Sequence, residues 1–172
     1  MKTARKALKT DPAVRRGALD YAAIFVATGM GAGFLPRAPG TAGALVGVAL
    51  YLALEGLHAG AYFPHAIVVS LVVGTWAAGH VEAFWGHDAQ RIVIDEVAGQ
   101  LIVFALAAGR YRLSVIGVIA GFVLFRIFDI WKPFPLRRLE KLKGGFGVMA
   151  DDVGAGIYAL IVLTIVLKYF GV

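Results

Sequence analysis

The stretch Leu113-Ser114-Val115-Ile116-Gly117-Val118-Ile119-Ala120-Gly121-Phe122-Val123-Leu124-Phe125-Arg126-Ile127-Phe128-Asp129-Ile130 decides the fold class. It is apolar over a length near the ~20 residues that cross a bilayer as a helix, and its two charges are confined to one end. Its apolar residues show no period-two alternation, which excludes a strand of a closed barrel and leaves a helix as the spanning form. Comparable runs occupy residues 40–57, 64–80, 92–108 and 152–170. The expectation is an all-α, polytopic membrane helical bundle of about five spans.

Composition points the same way. Of 172 residues, 59% are hydrophobic and 16% charged, against about half and a quarter in soluble domains. No linker, repeat or low-complexity tract divides the chain, so residues 21–172 read as one membrane-embedded domain behind a basic extension, residues 1–20. Lys2, Arg5, Lys6, Lys9, Arg15 and Arg16 suit cytoplasmic retention and contact with anionic lipid better than nucleic-acid binding. Asp20 interrupts the following apolar stretch, which argues against a cleaved signal peptide. The absence of cysteine removes disulfides, thiolate metal sites and cysteine-nucleophile phosphatases.

Cationic loops stay on the cytoplasmic side, which places the basic N-terminus together with Lys132, Arg137, Arg138, Lys141 and Lys143. Parity is satisfied if residues 21–35, broken by Gly29, Gly31 and Gly33, form a short re-entrant or interfacial helix that does not cross. Asp88, Asp95, Glu96, Arg126, Asp129, Asp151 and Asp152 then gather at the cytoplasmic face, beside the turn at residues 36–41.

Each cluster carries two readings. Asp95 and Glu96 are adjacent carboxylates in an apolar helix; they repel unless a hard cation such as Mg²⁺ intervenes, but they also suit a helix N-terminus. Arg126 and Asp129 stand at i and i+3 and can pair. Pro133 ends that helix, so Lys132 is either aimed back at an anion or snorkels beside Trp131. Gly144, Gly145 and Gly147 read as a flexible loop whose amides can approach an anion, with Asp151 as ligand or helix cap. Thr41, after Pro39 and Gly40, is a helix cap or a phosphate contact. His80, Glu82, His87 and Asp88 lack the paired histidines of a helical zinc motif.

Taken together, four blocks resemble the phosphatidylglycerophosphatase A family. They are Pro36-Arg37-Ala38-Pro39-Gly40-Thr41-Ala42-Gly43; Asp88 with Ile94-Asp95-Glu96-Val97-Ala98-Gly99; Phe125-Arg126-Ile127-Phe128-Asp129-Ile130-Trp131-Lys132-Pro133-Phe134-Pro135; and Asp151-Asp152-Val153-Gly154-Ala155-Gly156. One departure is Ala44, where similar chains often place serine. The resemblance implies a Mg²⁺-dependent phosphatase of the bacterial inner membrane, with its site at the cytoplasmic face, that converts phosphatidylglycerophosphate to phosphatidylglycerol and inorganic phosphate.

On that basis Asp95 and Glu96, with some of Asp88, Asp129, Asp151 and Asp152, are expected to hold Mg²⁺. Lys132 and Arg126 are expected to offset phosphoryl charge, Thr41 to be a nucleophile or contact, and Arg37, Pro39, Gly40, Gly145 and Lys132 to touch the substrate. The implied partner is a membrane phospholipid and not nucleic acid; the oligomeric state is left open. A lipid alcohol phosphotransferase is disfavoured because no arginine follows Asp151-Asp152 in its helix. A cation transporter is disfavoured because the acids lie at one face.

Overall fold

The structure is a computed structural model that describes residues 16–87, 89–108, 112–139 and 142–170. Residues 1–15, Asp88, Arg110 and Lys141 lie outside the described residues, and the roles expected of them are neither met nor contradicted. Every regular element among the described residues is helical: α1 (Ala18–Ala27), α2 (Pro39–Gly56), α3 (Phe63–Trp85), α4 (Ile94–Val103), α5 (Val115–Trp131), the single turn α6 (Leu136–Leu139) and α7 (Gly145–Phe170).

Three of these, α2, α3 and α7, are long and apolar enough to cross a membrane. Apolar residues recur every fourth position on outward faces of α7 and α5: Ile157, Ile161 and Ile165 on α7, and Ile119, Val123 and Ile127 on α5, are all exposed. A face of that kind needs lipid, not water.

The expectation of about five spans is confirmed for three helices only. α5 has 17 residues and α4 only ten, about 26 Å and 15 Å of rise. The run at residues 92–108 leaves α-helical geometry at Phe104, where the bonds Phe104 N–H to Leu101 C=O, Ala105 to Ile102 and Ala107 to Phe104 close tighter three-residue turns, each 3.1 Å. Phe104 is fully buried and stacks on Tyr51 of α2, ring centroids 4.5 Å apart. The segment still runs the length of α2. Glu96 lies against Gly40 at the start of α2, whereas Arg112 donates a 2.9 Å hydrogen bond to the Glu55 carbonyl near its end.

α4 sits at the centre, with nine of its ten residues buried. Its neighbours approach it on glycine. A Cβ on Gly43 of α2 would stand 2.7 Å from the Val93 carbonyl oxygen, and one on Gly99 would stand 2.6 Å from the Asp152 carbonyl oxygen. A Cβ on Gly156 of α7 would collide with the Gly99 carbonyl. Small residues let three backbones meet without side chains between them, which brings the first turn of α4 beside the first turn of α2 and the second turn of α7.

α1 is too short to cross and docks on α3, where Asp20 Oδ1 pairs with His80 Nε2 at 2.8 Å. That hydrogen bond, followed by the one from the Gly17 N–H, holds the Asp20 carboxyl below its ordinary range. Gly29 and Gly33 pack the segment after α1 against Val93 and the Arg91 carbonyl, so these two glycines serve close approach.

Candidate active site

Four helix ends supply the site. Ala38, in the left-handed region at φ 48°, precedes α2, and Pro39 takes its first position. Asp95 and Glu96 fall in the first turn of α4. Arg126 and Asp129 stand near the end of α5, and Lys132 caps it in the left-handed region at φ 46°. Asp151 and Asp152 lie in the second turn of α7. A non-glycine residue at such φ is held there against local preference by its surroundings.

These residues line one cavity of about 510 Å³, whose wall includes Pro39, Gly40, Asp95, Glu96, Arg126, Asp129, Lys132, Asp151 and Asp152. The carboxylate oxygens of Asp95, Glu96 and Asp152 all lie within 4.8 Å of one another. Asp95 and Asp152 are only 6% and 4% exposed. Carboxylates this close and this dry repel strongly without a cation.

The donor set suits Mg²⁺, which takes hard oxygen ligands at about 2.0–2.1 Å in an octahedron, so that ligand oxygens lie roughly 3–4 Å apart. The three carboxylates are close to that spacing, and Glu96 Oε2 is buried with no hydrogen-bond partner among the described residues.

Asp129 lies within hydrogen-bond reach of Asp152 and pairs with Arg126 Nη1 at 2.5 Å. That pair is a charge contact, because neither Nη1 nor Nε of Arg126 is aligned for a hydrogen bond. Lys132 Nζ donates to Asp151 Oδ2 at 2.7 Å. Gly40 is fixed by what surrounds it: a Cβ there would collide with Glu96 Oε1 and stand 3.4 Å from Arg126 Nη1.

The structure does not bring every expected residue into this wall. Arg37 is exposed and outside the lining, although its neighbours Pro36 and Ala38 belong to it. Thr41 lies in the first turn of α2, also outside the lining; the helix starts on Ala38 with no side-chain cap, so Thr41 is not the cap. Gly145 opens α7, and a Cβ on it would collide with the Thr75 carbonyl of α3. The glycines at 145 and 147 therefore serve packing inside a helix, not a flexible loop, and Asp151 is an interior helical residue, not a cap.

Sequence reasoning missed Gln90 and Ile130 in the wall, which nothing in their local sequence marks. It also missed Gln100, fully buried one turn from Glu96 with both amide atoms unpartnered among the described residues. A lone amide at i+4 from Glu96 in an apolar helix was the available signal.

A family model described as phosphatidylglycerophosphatase A matches residues 25–167. A Bacteroides thetaiotaomicron protein provisionally named phosphatidylinositol-3-phosphatase is 43% identical over 150 residues, covering 85% of this chain and 94% of its own. Phosphatidylglycerophosphatase A of Haemophilus influenzae is 42% identical over 140 residues, with 80% and 84% covered. The Escherichia coli protein of the same name is 34% identical over 135 residues, with 77% and 76% covered. No solved structure matches the chain.

Proposed function

The chain belongs to the phosphatidylglycerophosphatase A family and is a phosphatase, and we propose that its acidic cavity hydrolyses the terminal phosphate monoester of phosphatidylglycerophosphate in a Mg²⁺-dependent reaction. The observation that carries this reading is the convergence of two buried carboxylates, a half-buried third and two cationic side chains in one cavity at the end of an apolar bundle. Phosphoryl transfer asks mainly for positioning and charge neutralisation, and the wall contains the groups for both.

Asp95, Glu96 and Asp152 would hold Mg²⁺, which when bound supplies Lewis acidity toward phosphoryl oxygens. Lys132, steadied by Asp151, and Arg126, steadied by Asp129, place positive charge where a phosphate enters. Gly40 leaves the carboxylate of Glu96 room beside Arg126. Asp129, between Arg126 and Asp152, is placed to accept or return a proton.

Five passes through the membrane fit the path of the chain, with residues 94–108 crossing as a half-length helix followed by tight turns and Arg112 reaching the far end of α2. Arg37, Arg137, Arg138 and Lys143 are exposed around the cavity end, which supports placing it at the cytoplasmic face of a bacterial inner membrane.

The test is phosphate release from phosphatidylglycerophosphate by the purified chain, with and without EDTA. Release abolished by EDTA and restored by Mg²⁺ is expected; release indifferent to chelation removes the metal from the proposal. The name given to the Bacteroides relative supports a second substrate, a phosphoinositide monoester. Parallel assays of phosphatidylinositol 3-phosphate decide between the two.

A further inference from the structure

We propose that the turn between α5 and α7 is a second anion subsite, which takes the phosphodiester of the lipid headgroup while the acidic cavity takes its terminal monoester. This rests on the lipid phosphatase reading above. Residues 131–138 enclose a second cavity of about 480 Å³, lined among others by Trp131, Lys132, Phe134, Arg137 and Arg138. No carboxylate among the described residues lines it, so it is cationic where the first is mainly anionic. Lys132 lines both. The two cavities are therefore neighbours separated by one residue.

The turn is built and anchored. Leu136 is 2% exposed and packs against Gly154 of α7, where any Cβ would strike it. The Tyr158 hydroxyl donates to the Phe134 carbonyl at 3.0 Å. Arg137 Nη2 donates to the Trp131 carbonyl at 3.3 Å, and the Arg138 guanidinium lies over the Phe134 ring, 4.8 Å from its centroid. These contacts steady two exposed guanidiniums at the rim while leaving most of their N–H donors for an oxyanion, the group a planar fork binds best. Trp131 and Phe134 are themselves largely exposed, as aromatic side chains at headgroup level are.

The ligand chemistry follows from the substrates named for the relatives. Phosphatidylglycerophosphate and phosphatidylinositol 3-phosphate differ in the polyol but share a phosphomonoester on that polyol and a phosphodiester joining it to diacylglycerol. A subsite that reads the diester serves both. It also discriminates against phosphatidate, which carries the monoester alone.

The experiment uses the full chain in zwitterionic micelles with Mg²⁺ and compares it with the double variant Arg137→Gln/Arg138→Gln. With phosphatidylglycerophosphate, KM is expected to rise about tenfold, the size of one lost charge-assisted hydrogen bond, with kcat within about twofold. With phosphatidate, as substrate or competing ligand, the change is expected to stay within about twofold. An unchanged KM for phosphatidylglycerophosphate overturns the subsite. So does an equal rise for both lipids, which marks general attraction to anionic surfaces.

Arg137→Lys/Arg138→Lys keeps the charge without the fork; it should fall between the two and carries the test if the glutamine variant does not fold. Calorimetric binding of short-chain phosphatidylglycerol, which has the diester and no monoester, should weaken about tenfold in the glutamine variant. If the unmodified chain releases no phosphate, the lipid phosphatase reading fails, and the binding arm still decides the subsite.

Discussion

Glu96 and Gln100 stand one helical turn apart on α4 and face α2 across two glycines: a Cβ on Gly43 would lie 3.3 Å from the Glu96 Cβ, and one on Gly47 would lie 2.8 Å from the Gln100 Cβ. Their side chains have different fates. Glu96 shares its carboxylate cluster with Asp95 and Asp152, so Asp95→Asn and Glu96→Gln should each lower phosphate release by at least about a hundredfold, the scale of losing one preorganised electrostatic group. Melting temperature should hold or rise, because one of three crowded charges is gone. Turnover within about tenfold of the parent would strike that residue from the metal set. Gln100 is buried with neither amide atom partnered among the described residues, so Gln100→Met, similar in volume, should stabilise the chain by about 1–3 kcal/mol in thermal melts. A drop in stability would reveal a polar partner for the amide. The acids, Arg126 and Lys132 were legible in the sequence because ionisable residues in apolar runs are rare and costly. Gln90 and Ile130 were not, because they enter the wall through the fold around them, which leaves no local mark. Thr41 was misread because a hydroxyl after Pro-Gly looks like a cap, whereas the chain starts α2 on a left-handed Ala38.

At the level of elements, the site depends on how closely α4 meets α7. Gly156 faces the Gly99 backbone, Gly99 faces the Asp152 carbonyl, and Asp152 lies on α7 opposite the turn that bears Asp95 and Glu96. A methyl at position 99 would sit 2.6 Å from the Asp152 carbonyl oxygen and an equal 2.6 Å from Phe125 Cε2, so α4 must shift away from both α7 and α5. Gly99→Ala is therefore expected to cost about 1–3 kcal/mol of stability through overpacking and to weaken Mg²⁺ binding, because the ligand oxygens spread apart. Titration calorimetry with Mg²⁺ checks the second effect, and unchanged affinity would show that the carboxylates follow one another when the helices move. The apolar runs gave away the existence of α2, α3, α5 and α7, since length and hydropathy are local properties. The end of α4 was illegible: apolar residues continue past Val103 to Ala108, and the break at Phe104 coincides with its stacking on Tyr51, far back in the chain. The glycines at 145 and 147 misled for the same reason, since only contact with the Thr75 and Leu142 carbonyls distinguishes a packing glycine from a loop glycine.

For the whole molecule, the decisive quantity is which compartment each end of the bundle faces. Arg37 and Phe134 are exposed beside the acidic cavity, whereas Leu57 and Arg112 are exposed at the far end of α2. The positive-inside bias favours the cavity end as cytoplasmic, because Arg137, Arg138 and Lys143 cluster there and the described far end offers Arg112. The chain has no cysteine of its own, so single cysteines can be read without background. Arg37→Cys and Phe134→Cys are expected to react with a membrane-impermeant maleimide only after the cytoplasmic side is opened, and Leu57→Cys and Arg112→Cys to react from outside in intact cells. Arg112→Cys is the sharpest of the four, since its position depends on the half-length α4 and the turns after it carrying the chain across. If the thiol introduced by Arg112→Cys reacted from the same side as the one introduced by Arg37→Cys, residues 92–112 would be a re-entrant excursion, and α5 could no longer return Arg126, Asp129 and Lys132 to the face that holds Asp95.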